Sequence, residues 1–220
     1  MTDSAVRTDR IRTPDPGSAA PRAASKVAAV GVAFWVAKVV LTTVGDLSGD
    51  ALSISLHLGY VLALLVALAV FLPLLIAQFR SRRFVAGLYW GLILSASAVG
   101  AEISDSIDRA LHWGNPLGTF VLLCCTLAVL VTWYWRRGSL AVSEVSERQD
   151  EGYYWVAVIC ASSLGSALGD LVGDKLGVGV LGGTAVNVGV LALLFVLSFA
   201  RRAPQGLLFW FAFVVSRVPF

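Results

Sequence analysis

The sequence predicts an all-α polytopic membrane protein with about seven transmembrane helices, arranged as parallel two-helix repeats of which the fourth is incomplete. Its 220 residues are 57% hydrophobic and 14% charged, and its mean hydropathy is +0.79. A soluble domain carries about 25% charged residues, so this chain has too few charges to cover a surface exposed to water. The composition therefore argues against a soluble enzyme, a nucleic-acid-binding module and a disordered protein.

The apolar residues are grouped in runs of about 20, the length that a helix needs to cross a bilayer. Seven such runs follow one another, at about 27–47, 57–79, 84–104, 117–135, 153–172, 178–199 and 205–220. Residues 1–25 are polar and rich in arginine and proline, which predicts a disordered tail. The first apolar run is too long and too far into the chain for a signal peptide, so we expect it to remain as the first span of a single transmembrane domain, residues 26–220.

The basic residues predict the orientation of the spans, because they concentrate in cytoplasmic loops. Lys26, the tail and the loops on the same side contain thirteen, whereas the opposite loops contain only Arg109 and Lys175. We therefore expect the N-terminus in the cytoplasm and the protein in contact with lipid. This role accounts for the basic residues without nucleic acid.

An aromatic–Trp pair recurs four times along the chain. The tryptophans are Trp35, Trp90, Trp155 and Trp210. Seven positions later stand Thr42, Ser97, Ser162 and Arg217, ten positions later Gly45, Gly100 and Gly165, and fifteen positions later Asp50, Asp105 and Asp170. The predicted repeats are about 27–80, 82–136, 147–202 and an incomplete 203–220. Because each complete repeat contains two spans, all copies have the same orientation, around an axis along the membrane normal.

This Trp…Gly…Asp pattern resembles a family of bacterial uncharacterised membrane-anchored proteins built from four tandem two-helix repeats of unknown function. The resemblance covers about residues 27–220. The resemblance implies a bacterial inner-membrane protein built from such repeats, and no specific activity. Family members have eight spans and a Gly-Asp motif in the fourth repeat, whereas this sequence ends at Phe220, where the glycine of that repeat would fall, so a seven-span protein is expected.

Carboxylates cluster at the predicted outer ends of the repeat helices. They are Asp46, Asp50, Glu102, Asp105, Asp108, Asp170 and Asp174. Spacings of three and four residues place each set on one helix face, where like charges repel unless a cation or a shared proton lies between them. Oxygen ligands suit hard cations, and the proposed metal ligands are Asp46, Glu102, Asp105 and Asp170. His57 and His112 would add nitrogen ligands and favour manganese. The alternative is that the carboxylates are solvated and pair with Arg109 and Lys175.

Two basic residues within the apolar runs need partners. Lys38 lies near the middle of the first span, where a lysine costs at least about 2.5–3.5 kcal/mol, and Asp46 is its expected partner, directly or through another helix. Arg217 either supplies a positive charge to the acids or lies near the outer interface. The repeated tryptophans and Gly45, Gly100 and Gly165 are interpreted as packing residues. The predicted ion pathway consists of Lys38, Thr42, Asp46, Asp50, Ser97, Glu102, Asp105, Ser162, Asp170, Asp174 and Arg217.

The leading hypothesis is a small secondary transporter, a proton-coupled exporter of a hard divalent cation such as manganese. No enzyme and no bound cofactor are expected, because the sequence has no arrangement of a nucleophile with a base. A homo-oligomer is compatible with the sequence. Two alternatives stay open: a membrane scaffold or sensor that transports nothing, and an organic-cation carrier that uses the same acids.

Overall fold

A computed structural model describes residues 25–145, 147–175, 185, 188–194, 196 and 205–217 of the protein. Its long helices are α1 Val32–Asp50, α2 Tyr60–Arg80, α3 Ala86–Asp105, α4 Asn115–Arg137, α5 Arg148–Lys175 and α6 Gln205–Val215. No β-strand occurs within those described ranges. The all-α prediction is therefore confirmed there. The predicted tail, apart from Ser25, and most of the predicted span 178–199 lie outside the described residues.

Within the described ranges, five helices are long and apolar enough to cross a membrane. They are Val32–Ser55, Tyr60–Arg80, Ala86–Ala110, Asn115–Arg137 and Arg148–Gly173. These correspond to the first five predicted spans. The last predicted span differs, because α6 has only 11 residues and gives way to a turn at Ser216. A helix of that length is about 16 Å long, roughly half of a hydrocarbon core.

The connections that follow α1 and α3 have the same backbone conformation. Each helix continues into a five-residue π-helical segment, Ala51–Ser55 or Ser106–Ala110. His57 and His112 follow with φ angles of 55° and 56°, in the left-handed region where histidine is several-fold enriched among non-glycine residues. Both histidines are exposed, so their equivalent places in the repeat coincide with a turn conformation.

The repeats pack in chain order. α1 packs against α3, α3 against α5 and α5 against α6, while α2 packs mainly on α3 and α4 on α5. At each contact between first helices, the repeat glycine faces the seventh-position residue of the next repeat. An added Cβ would lie 2.4, 2.7 or 2.9 Å from the Cβ of that residue in the pairs Gly45–Ser97, Gly100–Ser162 and Gly165–Arg217. These glycines therefore allow the close helix approach expected of small residues.

The aromatic–Trp pairs form a closed circle at one end of the bundle. The aromatic residue that precedes each tryptophan contacts the tryptophan of the next repeat. The ring centroids are 5.6 Å apart in Phe34–Trp90, 5.7 Å in Tyr89–Trp155, 5.9 Å in Tyr154–Trp210 and 5.6 Å in Phe209–Trp35. The last contact joins the fourth repeat to the first. The four copies are therefore arranged around a common axis, as the sequence predicts.

Large apolar side chains occur both in the core of the bundle and on its outer surface, while several charged side chains are buried. Large apolar side chains lie on the outside, for example Val32, which is 71% exposed, and Trp135, which is 81% exposed. Lys38, Glu102 and Arg217 are buried inside the bundle. Such an exterior suits contact with lipid, since soluble monomers rarely expose large continuous apolar areas.

Candidate functional site

A polar cavity of about 160 Å³ lies at the end of the bundle opposite the aromatic circle. It is lined by Asp46, Asp50, Ile54, Ala101, Asp105, Arg109, Ser166 and Asp170. Six of these occupy just two positions of the repeat, eleven and fifteen residues after the tryptophan, in each of three repeats. Positions one helical turn apart face the same side of a helix, so the cavity lies on the axis that the repeats share.

The three carboxylates at the fifteenth position differ in their exposure. Asp105 is buried and its Oδ1 lies 3.6 Å from Nε of Arg109, whereas Asp50 is exposed. Nη1 of Arg109 also donates to the Tyr60 hydroxyl at 3.0 Å. Asp170 lies within electrostatic range of the same guanidinium. Arg109 is therefore the counter-charge of the outer part of the cavity, as the sequence-based alternative anticipated.

Arg217 connects all four repeats at the inner wall of the cavity. Its Nη2 donates to Asp46 Oδ1 at 2.6 Å and to the Ser97 carbonyl at 2.6 Å. Nη2 and Nε donate to the Ser166 hydroxyl at 3.2 and 3.4 Å, and Nη1 donates to the Ser97 hydroxyl. The side chain is 0% exposed. Of the two predicted roles for Arg217, the structure supports a positive charge supplied to the central acids.

Lys38 is fully buried but does not bind Asp46 directly. Its Nζ donates to the Phe213 carbonyl at 2.9 Å and to the Ser216 hydroxyl at 2.7 Å, and it lies 4.4 Å from the centre of the Phe213 ring. Of the two alternatives for Lys38, a direct pair with Asp46 is not formed, and Lys38 binds the C-terminal end of α6 instead. The last carbonyls of α6 need donors, and a lysine at a helix C-terminus supplies one.

Glu102 lies apart from the cavity. It is fully buried, and neither carboxylate oxygen has a hydrogen-bond partner among the residues that the structure describes. A Cβ added to Gly49 would lie 3.0 Å from its Oε1, so the carboxylate is directed towards α1. Each step of three residues turns a helix about 60° short of a full turn, which separates Glu102 from Asp105. The structure therefore brings Asp46, Asp105 and Asp170 together without Glu102.

The predicted metal ligands do not form a chelating group in the described part of the chain. No three His, Cys, Asp or Glu side chains there are close enough to hold a metal ion. His57 and His112 lie in the exposed turns. The side chain of Asp174 is outside the described residues. A site of directly coordinating carboxylates stays a prediction.

The remaining pathway residues form a layer below the cavity. Ser162 is buried, and the buried Thr42 donates to the carbonyl of Val39 in its own helix at 3.1 Å. Ser97 contacts Arg217. Two polar residues of the cavity were not among the predicted site residues, Ser166 and Arg109. Ser166 stands at the repeat position of Asp46, so the register of the motif contained the signal that would have identified it.

Another polar cluster lies at the aromatic end of the bundle. Lys26 Nζ lies 2.9 Å from Glu151 Oε2, and Gln78 Nε2 donates to Glu151 Oε1 at 3.0 Å. All three residues are buried. The sequence identifies Lys26 only as a topology signal. In the structure it fixes the start of the described chain to α5, and Glu151 also binds α2 through Gln78.

Comparison with known proteins identifies the repeat and no activity. A family model described as Repeat of Unknown Function (DUF347) matches the chain three times, at residues 33–84, 88–139 and 153–203. These matches together cover well over half of the chain and contain the first three aromatic–Trp pairs. No curated protein and no solved structure gives a significant match.

Proposed function

Because the chain belongs to the DUF347 family, repeats of unknown function, its activity has to be inferred from its geometry, and we propose that it is a multi-pass membrane transporter of a small cation. One observation carries the proposal. Carboxylates from three repeats line a cavity on the shared axis of a bundle whose outer surface is apolar. Ionisable groups within membrane-embedded bundles are costly and mark ion or proton pathways in many transporters.

The orientation expected from the basic residues gives the cavity a place in transport. With the N-terminus in the cytoplasm, α1, α3 and α5 run outwards, and the acidic cavity opens to the outside of a bacterial inner membrane. The aromatic circle then lies on the cytoplasmic side. Transport requires a second conformation that opens at that side, as in alternating access.

The chemistry of the cavity favours a cation bound by oxygen atoms. The described lining offers carboxylates and the hydroxyl of Ser166, while both histidines lie in the turns. Oxygen ligands suit protons and hard cations such as Mn²⁺, and carboxylates that are not gathered into a chelating group suit an ion that keeps part of its hydration shell. Proton-coupled export of a divalent ion and transport of an organic cation are the two narrower forms of this proposal.

The test is a flux measurement on the purified full chain in lipid vesicles. We expect Asp105→Asn and Asp170→Asn to lower the initial rate of Mn²⁺ or proton flux about tenfold or more, because a contact to a charged group contributes about 1.5–3 kcal/mol. Asp108→Asn is the matched control, since Asp108 is half-buried in the same helical region and does not line the cavity. Equal rates in all variants would contradict transport through this cavity.

A membrane scaffold is the second candidate, and the cluster around Glu151 favours it. Lys26 is the point where the N-terminal tail joins the bundle, and the ion pair there is buried. A scaffold that binds partners or anionic lipid through its arginine-rich tail should lose that binding when residues 2–24 are deleted. A transporter should keep its flux after the same deletion, so measuring both properties on one truncated chain separates the two candidates.

A further inference from the structure

We propose that the Arg217 guanidinium is a tethered cation that occupies the substrate site, and that the substrate class is a small planar cation with several N–H donors, such as guanidinium or an alkylguanidinium. The proposal rests on the proposed transport function and names its substrate class. Its test measures binding, so that it can fail or succeed independently of any flux measurement.

The acceptors around Arg217 form a complete binding site for such a cation. Asp46 supplies one negative charge, Ser97 a carbonyl and a hydroxyl, and Ser166 a second hydroxyl. They come from three different helices, α1, α3 and α5. A guanidinium group is planar and has its N–H donors in a fixed fork, which matches several oxygens around one carboxylate better than a spherical metal ion does.

Arg217 departs from the repeat at this position. The other three repeats have a hydroxyl residue seven positions after the tryptophan, at Thr42, Ser97 and Ser162. A hydroxyl residue at position 217 would leave the Asp46 carboxylate without its guanidinium partner. The change from a hydroxyl to a guanidinium in one repeat therefore coincides with a site that the other three repeats build.

A cation from outside can reach two of the three acceptor residues. Asp46 and Ser166 both bind Arg217, and both also line the cavity. The side chain of Asp46 is 17% exposed, whereas that of Arg217 is 0% exposed. An incoming cation therefore meets the accessible side of Asp46 and can replace the guanidinium on that carboxylate.

The tether is placed where it can move. Arg217 lies in a turn two residues beyond the end of α6, so its side chain can leave Asp46 without unwinding a helix. Lys38 is not a second tethered cation, because its contacts are with the end of α6 and with the Phe213 ring.

The experiment uses the purified full chain in detergent with Arg217→Ser. We expect the substitution to lower the unfolding temperature by about 10 °C, as the loss of one partner of a buried ion pair should. Guanidinium chloride at about 10 mM, roughly ten times a dissociation constant of order 1 mM, should raise the unfolding temperature of the variant by about 3–5 °C and show saturable heat of binding. Sodium chloride, tetramethylammonium chloride and urea at the same concentration should not, since each lacks either the charge or the N–H donors.

The matched control is the double variant Arg217→Ser with Asp46→Asn, in which guanidinium should have no effect. Equal responses to all four solutes, or a guanidinium effect that persists without Asp46, would overturn the proposal. If Arg217→Ser fails to fold, Arg217→Gln keeps the side-chain length without the charge, and the yield of folded protein with and without guanidinium becomes the measurement. Absence of folded protein with guanidinium in both variants counts against the proposal. Guanidinium binding together with unchanged flux in Asp105→Asn and Asp170→Asn would retain the site and remove the transport function.

Discussion

At the aromatic end of the repeat axis, each of the four repeats contributes an aromatic–Trp pair, and these pairs form a closed circle. At the acidic end, three repeats contribute an aspartate at equivalent positions, and these aspartates line a cavity. The two layers are separated by fifteen residues of the same helices, about 22 Å. The same repeat register therefore places a closed circle of aromatic rings at one level and a polar cavity at another. The side chains placed at each level, and not the packing of the helices, determine which of the two forms.

The largest effect is expected where both ends depend on the same helix contact. Gly100→Leu would place a side chain against Ser162, whose Cβ would lie 2.7 Å from the new Cβ. Separating α3 from α5 should destabilise the protein by more than about 3 kcal/mol and reduce the yield of folded chain. Gly87→Leu is the control in the same helix, because no other group lies within 4 Å of an added Cβ there. Equal unfolding temperatures for the two variants would show that the close contact is not required.

The next effect concerns the ion pair at the wall of the cavity. Asp46→Asn leaves the buried guanidinium of Arg217 without its carboxylate, which should cost about 3–5 kcal/mol. Asp50→Asn, one turn further along the same helix, should change stability by less than about 0.5 kcal/mol, since Asp50 is exposed. Thermal unfolding of both variants measures this difference. Adding Arg217→Gln and Asp46→Asn/Arg217→Gln completes a double-mutant cycle, which gives the interaction energy of the pair. Additive losses in the cycle would show that the two charges do not interact.

A smaller effect is expected at the closed end. The Tyr89 and Tyr154 hydroxyls lie 2.6 Å apart and are both buried, so Tyr89→Phe removes one hydrogen bond and should destabilise the protein by about 1 kcal/mol. Tyr134→Phe is the control, because Tyr134 is exposed. Chemical denaturation of both variants gives the comparison. A loss in Tyr134→Phe as large as in Tyr89→Phe would argue against a structural role for the hydroxyl pair.

The smallest change in stability is expected at the mouth of the cavity. Arg109 is 44% exposed and its Nε lies 3.6 Å from Asp105, so solvent screens most of this ion pair. Arg109→Gln should therefore change stability by less than about 1 kcal/mol. It should nevertheless strengthen cation binding several-fold, because Asp105 loses a competing positive charge. Calorimetric titration with Mn²⁺ measures this, and weaker binding would contradict the assignment of Arg109 as a competitor.

The sequence predicts what depends on local pattern. Run lengths predict the helices, and the spacing of Trp35, Trp90, Trp155 and Trp210 predicts a parallel arrangement around one axis. The family match agrees with the first three repeats. The same register also places Asp105 and Asp170 in one cavity, since equivalent positions around an axis converge.

Contacts between distant parts of the chain were not predictable in the same way. The Arg217–Asp46 pair joins residues 171 positions apart, and the sequence left the place of Arg217 open. Lys38 binds the end of α6 because that helix is shorter than its apolar run, and hydropathy does not determine where a helix stops. Glu102 faces α1 because a helix of given sequence can be rotated against its neighbours, and the spacing of its acids does not fix that rotation.

The packing of the second helix of a repeat against the following repeat has a consequence for synthesis. Because α2 rests on α3 and α4 rests on α5, a repeat that has just emerged offers its second helix no complete partner until the next one arrives. The fourth repeat contacts the first through Phe209 and Trp35, so this contact of the first repeat can form only after the fourth has been synthesised. The contact that closes the aromatic circle therefore joins the first and fourth repeats, the two that lie farthest apart in the sequence.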